Sequence, residues 1–139
     1  MSPILAKDEI RVPIVSDLDI VSARQKGREL ASQLGFSSSE LALIATAISE
    51  LARNIVRYAR KGEVLLKLIE RGEKRGVHIV ARDRGPGIRD IGQAMQDGYS
   101  TSGGLGLGLP GVRRLMDEFE IVSTAREGTT VTIKKWLLR

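Results

Sequence analysis

EVLLKLIERGEKRGVHIVARD, residues 63–83, is the stretch that decides the fold. Glu63 to Glu70 and Val77 to Asp83 are two apolar, β-branched runs. Between them lies Arg71-Gly72-Glu73-Lys74-Arg75-Gly76, a polar turn, so the segment reads as a β-hairpin. Two strands arriving as a pair, not singly between helices, argue against a doubly wound parallel sheet.

Upstream of the hairpin, Arg11 to Val15 is a short β-type run. Asp17 to Leu34 follows as a helix with a broken apolar stripe of Leu18, Val21, Ala23, Leu30, Ala31 and Leu34. Gly35 stands where that helix would stop in the left-handed conformation. Ser37, with Glu40 three residues later, is a capping box that opens a second helix from about Ser38 to Tyr58. Leu41, Ile44, Ala45, Ile48, Leu51, Ala52, Ile55 and Ala59 share one face of it. Thr46, Arg53, Arg57 and Arg60 lie on the other, and Glu50 and Asn54 stack one turn apart near the edge of the polar arc. Gly62 ends this helix.

Downstream, Asp83-Arg84-Gly85-Pro86-Gly87 breaks the second strand. Asp90 to Met95 fits a short helix, Asp97 to Gly108 a mobile glycine-laden loop, and Leu109 to Asp117 a third substantial helix. Phe119 to Thr124 and Thr129 to Leu137 close the chain as a further strand pair around Glu127-Gly128. The order β-α-α-β-β-loop-α-β-β predicts an α+β fold: a two-layer sandwich, its mixed sheet covered on one face by helices. Residues 1–139 are expected to form a single domain.

The bulk composition excludes several functions. There are no cysteines and one histidine, His78, so thiol chemistry, disulfides and Cys/His metal sites drop out. A metal, if used, would be a hard ion held by oxygens and phosphates. No apolar run reaches the length of a signal-peptide core or a membrane span, which predicts a cytoplasmic protein without a membrane role. The net charge of +5 favours acidic partners. The basic residues are scattered, and aromatics make up 4%. A stacking platform for nucleic acid is therefore not expected.

Three segments carry chemistry. Asp83 continues the face of Val77, Ile79 and Ala81, which places its carboxylate at the edge of the core, where it can accept from an exocyclic amine such as that of adenine. The glycines that follow let backbone approach a flat ring or turn sharply. Asp-x-Gly-Pro-Gly is equally good plain turn chemistry. Gly103-Gly104-Leu105-Gly106-Leu107-Gly108 runs straight into a helix, so free backbone N–H groups and a helix N-terminus converge as a polyphosphate requires. It is neither a Walker loop nor a dinucleotide fingerprint. At least one of Leu105, Leu107 and Leu109 is expected to serve packing. Glu50 and Asn54 offer a carboxylate able to activate a hydroxyl and a carboxamide able to ligate magnesium, or else two solvated residues on a polar face. His78 reads as a partly exposed strand residue. Met95, Tyr99, Met116, Phe119 and Trp136 read as core or edge packing.

In this order, a helix with Glu-x-x-x-Asn, a strand ending Asp-x-Gly-x-Gly, a glycine loop opening a helix and a Gly-Thr before the last strand resemble the four boxes of the Bergerat-fold ATPases. These include gyrase, the ninety-kilodalton heat-shock chaperone, histidine kinases and MutL. The resemblance covers nearly the whole chain and is nearest to the bacterial anti-sigma and switch kinases of stress signalling. It implies ATP and Mg2+ as cofactors and a serine/threonine protein kinase activity. It implies that Asn54 holds the magnesium, that Glu50 is the general base, and that Asp83 binds the adenine amine in a pocket shaped by Gly85 and Gly87. Gly104, Leu105, Gly106, Leu107 and Gly108 would wrap the phosphates as a lid, with Thr129 backing Asp83. The implied partners are STAS-domain scaffold and antagonist proteins as substrates and a phosphatase of the protein-phosphatase-2C type. Self-pairing is known in the resembled family, and nothing in the sequence compels it here.

One departure stands out. Such kinases often carry an arginine just before the lid, and this chain has Ser100-Thr101-Ser102-Gly103. Modest, partner-assisted turnover is expected. Competing readings are an anti-sigma factor that binds a sigma subunit as well as ATP, a detached histidine-kinase ATPase domain, and a non-enzymatic adaptor whose nucleotide is structural.

Overall fold

The structure, a computed structural model, describes residues 9–87, 95 and 108–137. The expected short helix at 90–95 and most of the glycine loop lie outside the described residues, Met95 and Gly108 excepted.

The hairpin that decides the fold forms as β2 (Gly62–Arg71) and β3 (Lys74–Asp83). Its turn is tighter than expected, because Arg71 pairs directly with Lys74 and only Gly72 and Glu73 are left between the strands. Gly72 has φ 63°, which suits the first central position of a two-residue hairpin turn. Charged residues at 71, 74 and 75 had read as loop. They extend the strands because the ends of the hairpin reach solvent.

The remaining strands are β1 (Ile10–Ile14), β4 (Glu118–Thr124) and β5 (Gly128–Leu137). They join the hairpin in a five-stranded sheet of order β1-β2-β3-β5-β4. The α+β two-layer sandwich is as expected. Within it, every described strand pair is antiparallel, so the expected mixture of strand directions is not found among the described residues. Two tight hairpins dictate two of the four pairings, and β5 enters beside β3 running back along it.

The helices are α1 (Asp17–Ser32), α2 (Ser38–Asn54) and α3 (Gly108–Leu115). At α2 the capping box is complete: Glu40 N–H donates to Ser37 Oγ at 3.1 Å, and Ser37 N–H donates to the Glu40 carboxylate at 2.9 Å. These bonds hold the Glu40 carboxyl below the usual carboxylate range. All the core-forming strand residues on one face, among them Val64, Leu66, Ile79, Ala81, Val131 and Ile133, pack with Ile44, Ile48, Leu51 and Ile55 of the helical layer. Leu109 is buried too, so at least that leucine of the glycine segment serves packing. α2 packs against α1 on one side and α3 on the other as well as against the sheet. It is therefore the central element of its layer.

The expected end of the second helix differs in detail. The α-helix stops at Asn54, and Ile55–Ala59 continues as one π-helical turn. Arg60 N–H then donates to the Ile55 carbonyl at 2.8 Å, the wide ring of a π-turn. Arg60 leaves the turn at φ 74°, ψ −36°.

On the face of the sheet away from the helices, Trp136 lies across Gly76, where a Cβ would sit 2.8 Å from its ring. Trp136 Nε1 donates to Glu118 at 2.6 Å, and the Arg71 guanidinium stands 4.9 Å from the ring centroid. Trp136 and Met116 are buried and Phe119 half-buried, which matches their reading as packing residues.

Candidate functional site

α2 carries the first part of the site. Glu50 is 6% exposed, so the alternative of a solvated residue on a polar face is excluded for it. The helix pattern had placed it at the edge of the polar arc. Burial follows because α2 is covered by the sheet on one flank and by α1 and α3 on two more. A buried carboxylate requires partners, and Arg53 Nη1 donates to Glu50 Oε1 at 3.2 Å. Asn54, half-buried, is the last α-helical residue, one turn beyond Glu50.

The second part is the end of β3. Asp83 Oδ1 accepts from Gly85 N–H at 2.8 Å and from Thr129 N–H at 3.4 Å. Two backbone donors on one oxygen fix the carboxylate plane, as an Asx turn does. Thr129 is the second residue of β5, next to the end of β3, and its side-chain Oγ1 lies 2.7 Å from Ser123 Oγ on β4. Ser123 was not singled out from the sequence. Its only signal was a hydroxyl on an alternating strand opposite Thr129.

Close backbone approach holds this part together. A Cβ on Gly128 would meet the Asp83 carbonyl at 2.1 Å, and its φ is 84°, so only glycine lets β5 begin against Asp83. Gly87 lies beside the Thr124 carbonyl at the other side of the loop.

The two parts meet through Ala59 and Gly85. A Cβ on Gly85 would lie 2.6 Å from the Ala59 Cβ. The π-helical turn delivers Ala59 to the Asp83 loop, so the helix bearing Glu50 and Asn54 is in contact with the loop bearing Asp83. Gly108 opens α3, which packs on α2. Gly104, Leu105, Gly106 and Leu107 lie outside the described residues. Among the described residues, no group of three or more His, Asp or Glu side chains is placed to hold a metal by itself.

His78 is not part of this site. It sits mid-strand on the far face of the sheet, between Lys67 and Lys134 in the strand register. Its Nδ1 is buried without a hydrogen-bond partner among the described residues. Burial first, then the two lysines, push its pKa down to about 4.

The family described as histidine kinase-like ATPase domain matches residues 15–135. The chain is 55% identical over 130 residues to the serine/threonine-protein kinase RsbT of Bacillus subtilis, covering 94% of this chain and 98% of that one. It is 34% identical to an anti-sigma F factor of a Thermoanaerobacter species, over 83% of each chain. A crystal structure holding the RsbU and RsbW domains of a Mycobacterium tuberculosis protein shares the fold at a TM-score of 0.65. That match has 22% identity and covers 93% of this chain and 32% of the other. With the box order, the sandwich and the joined helix and loop already in place, the chain belongs to the histidine kinase-like ATPase family, in its serine/threonine-kinase branch.

Proposed function

We propose that this chain moves the γ-phosphoryl group of ATP to a serine or threonine hydroxyl of a small partner protein, with Glu50 as the general base. The observation that carries this reading is the buried Glu50 carboxylate one helical turn from Asn54. Burying a carboxylate costs stability, and a site that only stored a nucleotide would gain nothing from it.

Asp83 supports nucleotide choice. With Oδ1 fixed by two backbone N–H groups, the carboxylate presents an acceptor only, which matches an exocyclic amine and rejects a carbonyl. Such an acceptor fits the exocyclic amine of adenine. Asn54 offers one oxygen ligand, so a magnesium ion would take its other ligands from the phosphates and water, as that ion commonly does. When bound, it would neutralise charge on the phosphates. In the transfer step the acceptor hydroxyl oxygen bonds to the γ-phosphorus as the bond to the β–γ bridging oxygen breaks. ADP leaves with that electron pair, and Glu50 takes the hydroxyl proton.

The finer reading rests on the resemblance to bacterial switch kinases. Residues 1–139 act as one kinase domain in the cytoplasm, and the acceptors are STAS-domain scaffold and antagonist proteins. Once these are phosphorylated, the released chain binds and activates a phosphatase of the protein-phosphatase-2C type. Among the described residues no helix is long and apolar enough to cross a membrane. Binding of a sigma subunit, suggested by the anti-sigma F relatives, is the second reading. The higher identity to the switch kinase, 55% against 34%, favours the first.

Calorimetric titration with ATP, with and without magnesium, tests the site. Binding that needs magnesium and is lost in Asp83→Asn is the expected result. Phosphoryl transfer to a STAS-domain protein should vanish in Glu50→Ala while ATP binding survives. No binding at millimolar ATP, or unchanged transfer in Glu50→Ala, overturns the proposal.

A further inference from the structure

Glu50 is not alone in its pocket. Arg53 follows it by three residues on the same helix and immediately precedes Asn54. Its Nη1 donates to Glu50 Oε1 at 3.2 Å. The Glu50 side chain is 7% exposed and that of Arg53 34%, so the guanidinium reaches from the protein's edge to an enclosed carboxylate. The two residues that continue the basic face, Arg57 and Arg60, are exposed. An i,i+3 ion pair on an open helix surface contributes little. This one differs because one member is buried, and a carboxylate there is stable only when it is paired.

A glutamate has three rotatable side-chain bonds and loses appreciable rotamer freedom when ordered. A base must nonetheless stand within hydrogen-bond reach of the proton it takes. Holding one oxygen settles where the other points. A guanidinium suits this task because it stays charged and its planar fork is rigid.

We propose that Arg53 is a positioning residue for phosphoryl transfer: it grips Oε1 of Glu50 and so orients the carboxylate toward the acceptor hydroxyl. The inference rests on the reading of Glu50 as the base. Arg53 touches neither nucleotide nor acceptor in this role. Its loss therefore lowers the rate of the chemical step and leaves the nucleotide's affinity alone. Small misplacements of a catalytic group cost up to about a hundredfold in rate. A lysine can return the charge but not the planar fork, so it recovers part of the function.

The test uses the full chain with a STAS-domain protein as phosphate acceptor, comparing the native chain with Arg53→Met, Arg53→Lys and Glu50→Gln. Rates come from single-turnover transfer of radiolabelled phosphate, ATP affinity from calorimetry, and folding from thermal melts. Arg53→Met is expected to lower the transfer rate about tenfold to a hundredfold and to leave the ATP dissociation constant nearly unchanged. Arg53→Lys is expected to fall between Met and the native chain. Should Arg53→Met melt early, the lysine variant carries the same comparison. Unchanged transfer in Arg53→Met, a loss of ATP affinity in place of rate, or a lysine variant no better than methionine overturns the role. The parent reading fails by a different result: Glu50→Gln transferring at the native rate, whatever Arg53 does.

Discussion

Ala59 and Gly85 face each other so closely that a methyl group on the glycine would stand 2.6 Å from the alanine Cβ. Neither belongs to a regular helix or strand. Ala59 closes a π-helical turn and Gly85 follows the last residue of β3 by two. Their contact ties the helix of Glu50 and Asn54 to the loop of Asp83.

A methyl at Gly85 cannot be absorbed by a flexible side chain, since the Ala59 Cα is itself 2.8 Å from that point. Gly85→Ala must displace the loop or the π-turn. ATP affinity is expected to fall at least about tenfold, or ~1.4 kcal/mol, while the core stays folded. Ala59→Gly in the same chain should restore only part of the loss, because the Cα clash remains. Calorimetric titration of both variants checks this, and full affinity in Gly85→Ala would show that the contact does not matter.

Ser123 shares a hydroxyl contact of 2.7 Å with Thr129, whose own N–H donates to Asp83. Removing it lets the threonine hydroxyl turn away without touching the carboxylate. Ser123→Ala should weaken ATP binding a few-fold, in line with about 1 kcal/mol for one neutral hydrogen bond. Asp83→Asn should cost more. The order of these two effects, measured side by side, is the check.

Arg60 has φ 74° and is the one non-glycine residue with positive φ among the described residues. Such a conformation costs on the order of 1–3 kcal/mol for a side-chain-bearing residue. Glycine relieves the strain but loses more freedom on folding. Arg60→Gly is therefore expected to raise stability by about 1 kcal/mol, read from the urea midpoint. A lower midpoint would mean that the arginine side chain holds the turn.

His78 gives the fold a pH dependence with a definite sign. Its pKa is pushed from 6.5 to about 4, chiefly by burial. In the interval between those values the unfolded chain binds the proton more readily than the folded one, so stability rises with pH. The contribution is complete above pH 6.5 and is lost as pH falls toward 4. The charged groups facing it are Lys67 and Lys134, which lower its pKa, and Glu9 and Glu118, which raise it. Glu40, Glu63 and Glu118 have pKa values lowered from 4.5, so they act below the upper part of this interval. Melting temperature should drop between pH 6.5 and 4.5 in the native chain, and that drop should be absent in His78→Gln. Parallel curves for the two proteins would refute the assignment.

Much of this arrangement was readable from local pattern. The capping box at Ser37 and Glu40, the stripe of α2 and the hairpin each depend on near neighbours in sequence, and each formed, the hairpin with a shorter turn than its sequence suggests. The burial of Glu50 was not readable, because periodicity reports one covered flank of a helix, and α2 is covered on more than one. The π-turn at Ile55–Ala59 was missed for a related reason. Its last residue, Ala59, meets Gly85 far along the chain, a contact that no local pattern reports. Ser123 escaped because an alternating hydroxyl on a strand looks the same whether it meets water or Thr129. Strand directions across β3 and β5 likewise depend on where a distant segment returns.

The bond from Thr129 N–H to Asp83 Oδ1 spans 46 positions of sequence. Together with the β3–β5 ladder, it acts as a clasp where the chain leaves β3 and later returns, after α3 and β4, to form β5. Closing a longer loop costs only about 0.6 kcal/mol for each doubling of its length. Changes of length in the chain between Gly87 and Gly108 are therefore expected to leave the Asp83–Thr129 end of the candidate site in place. On the proposed reading, sequence changes ahead of Gly108 are then separable from the choice of base at Asp83.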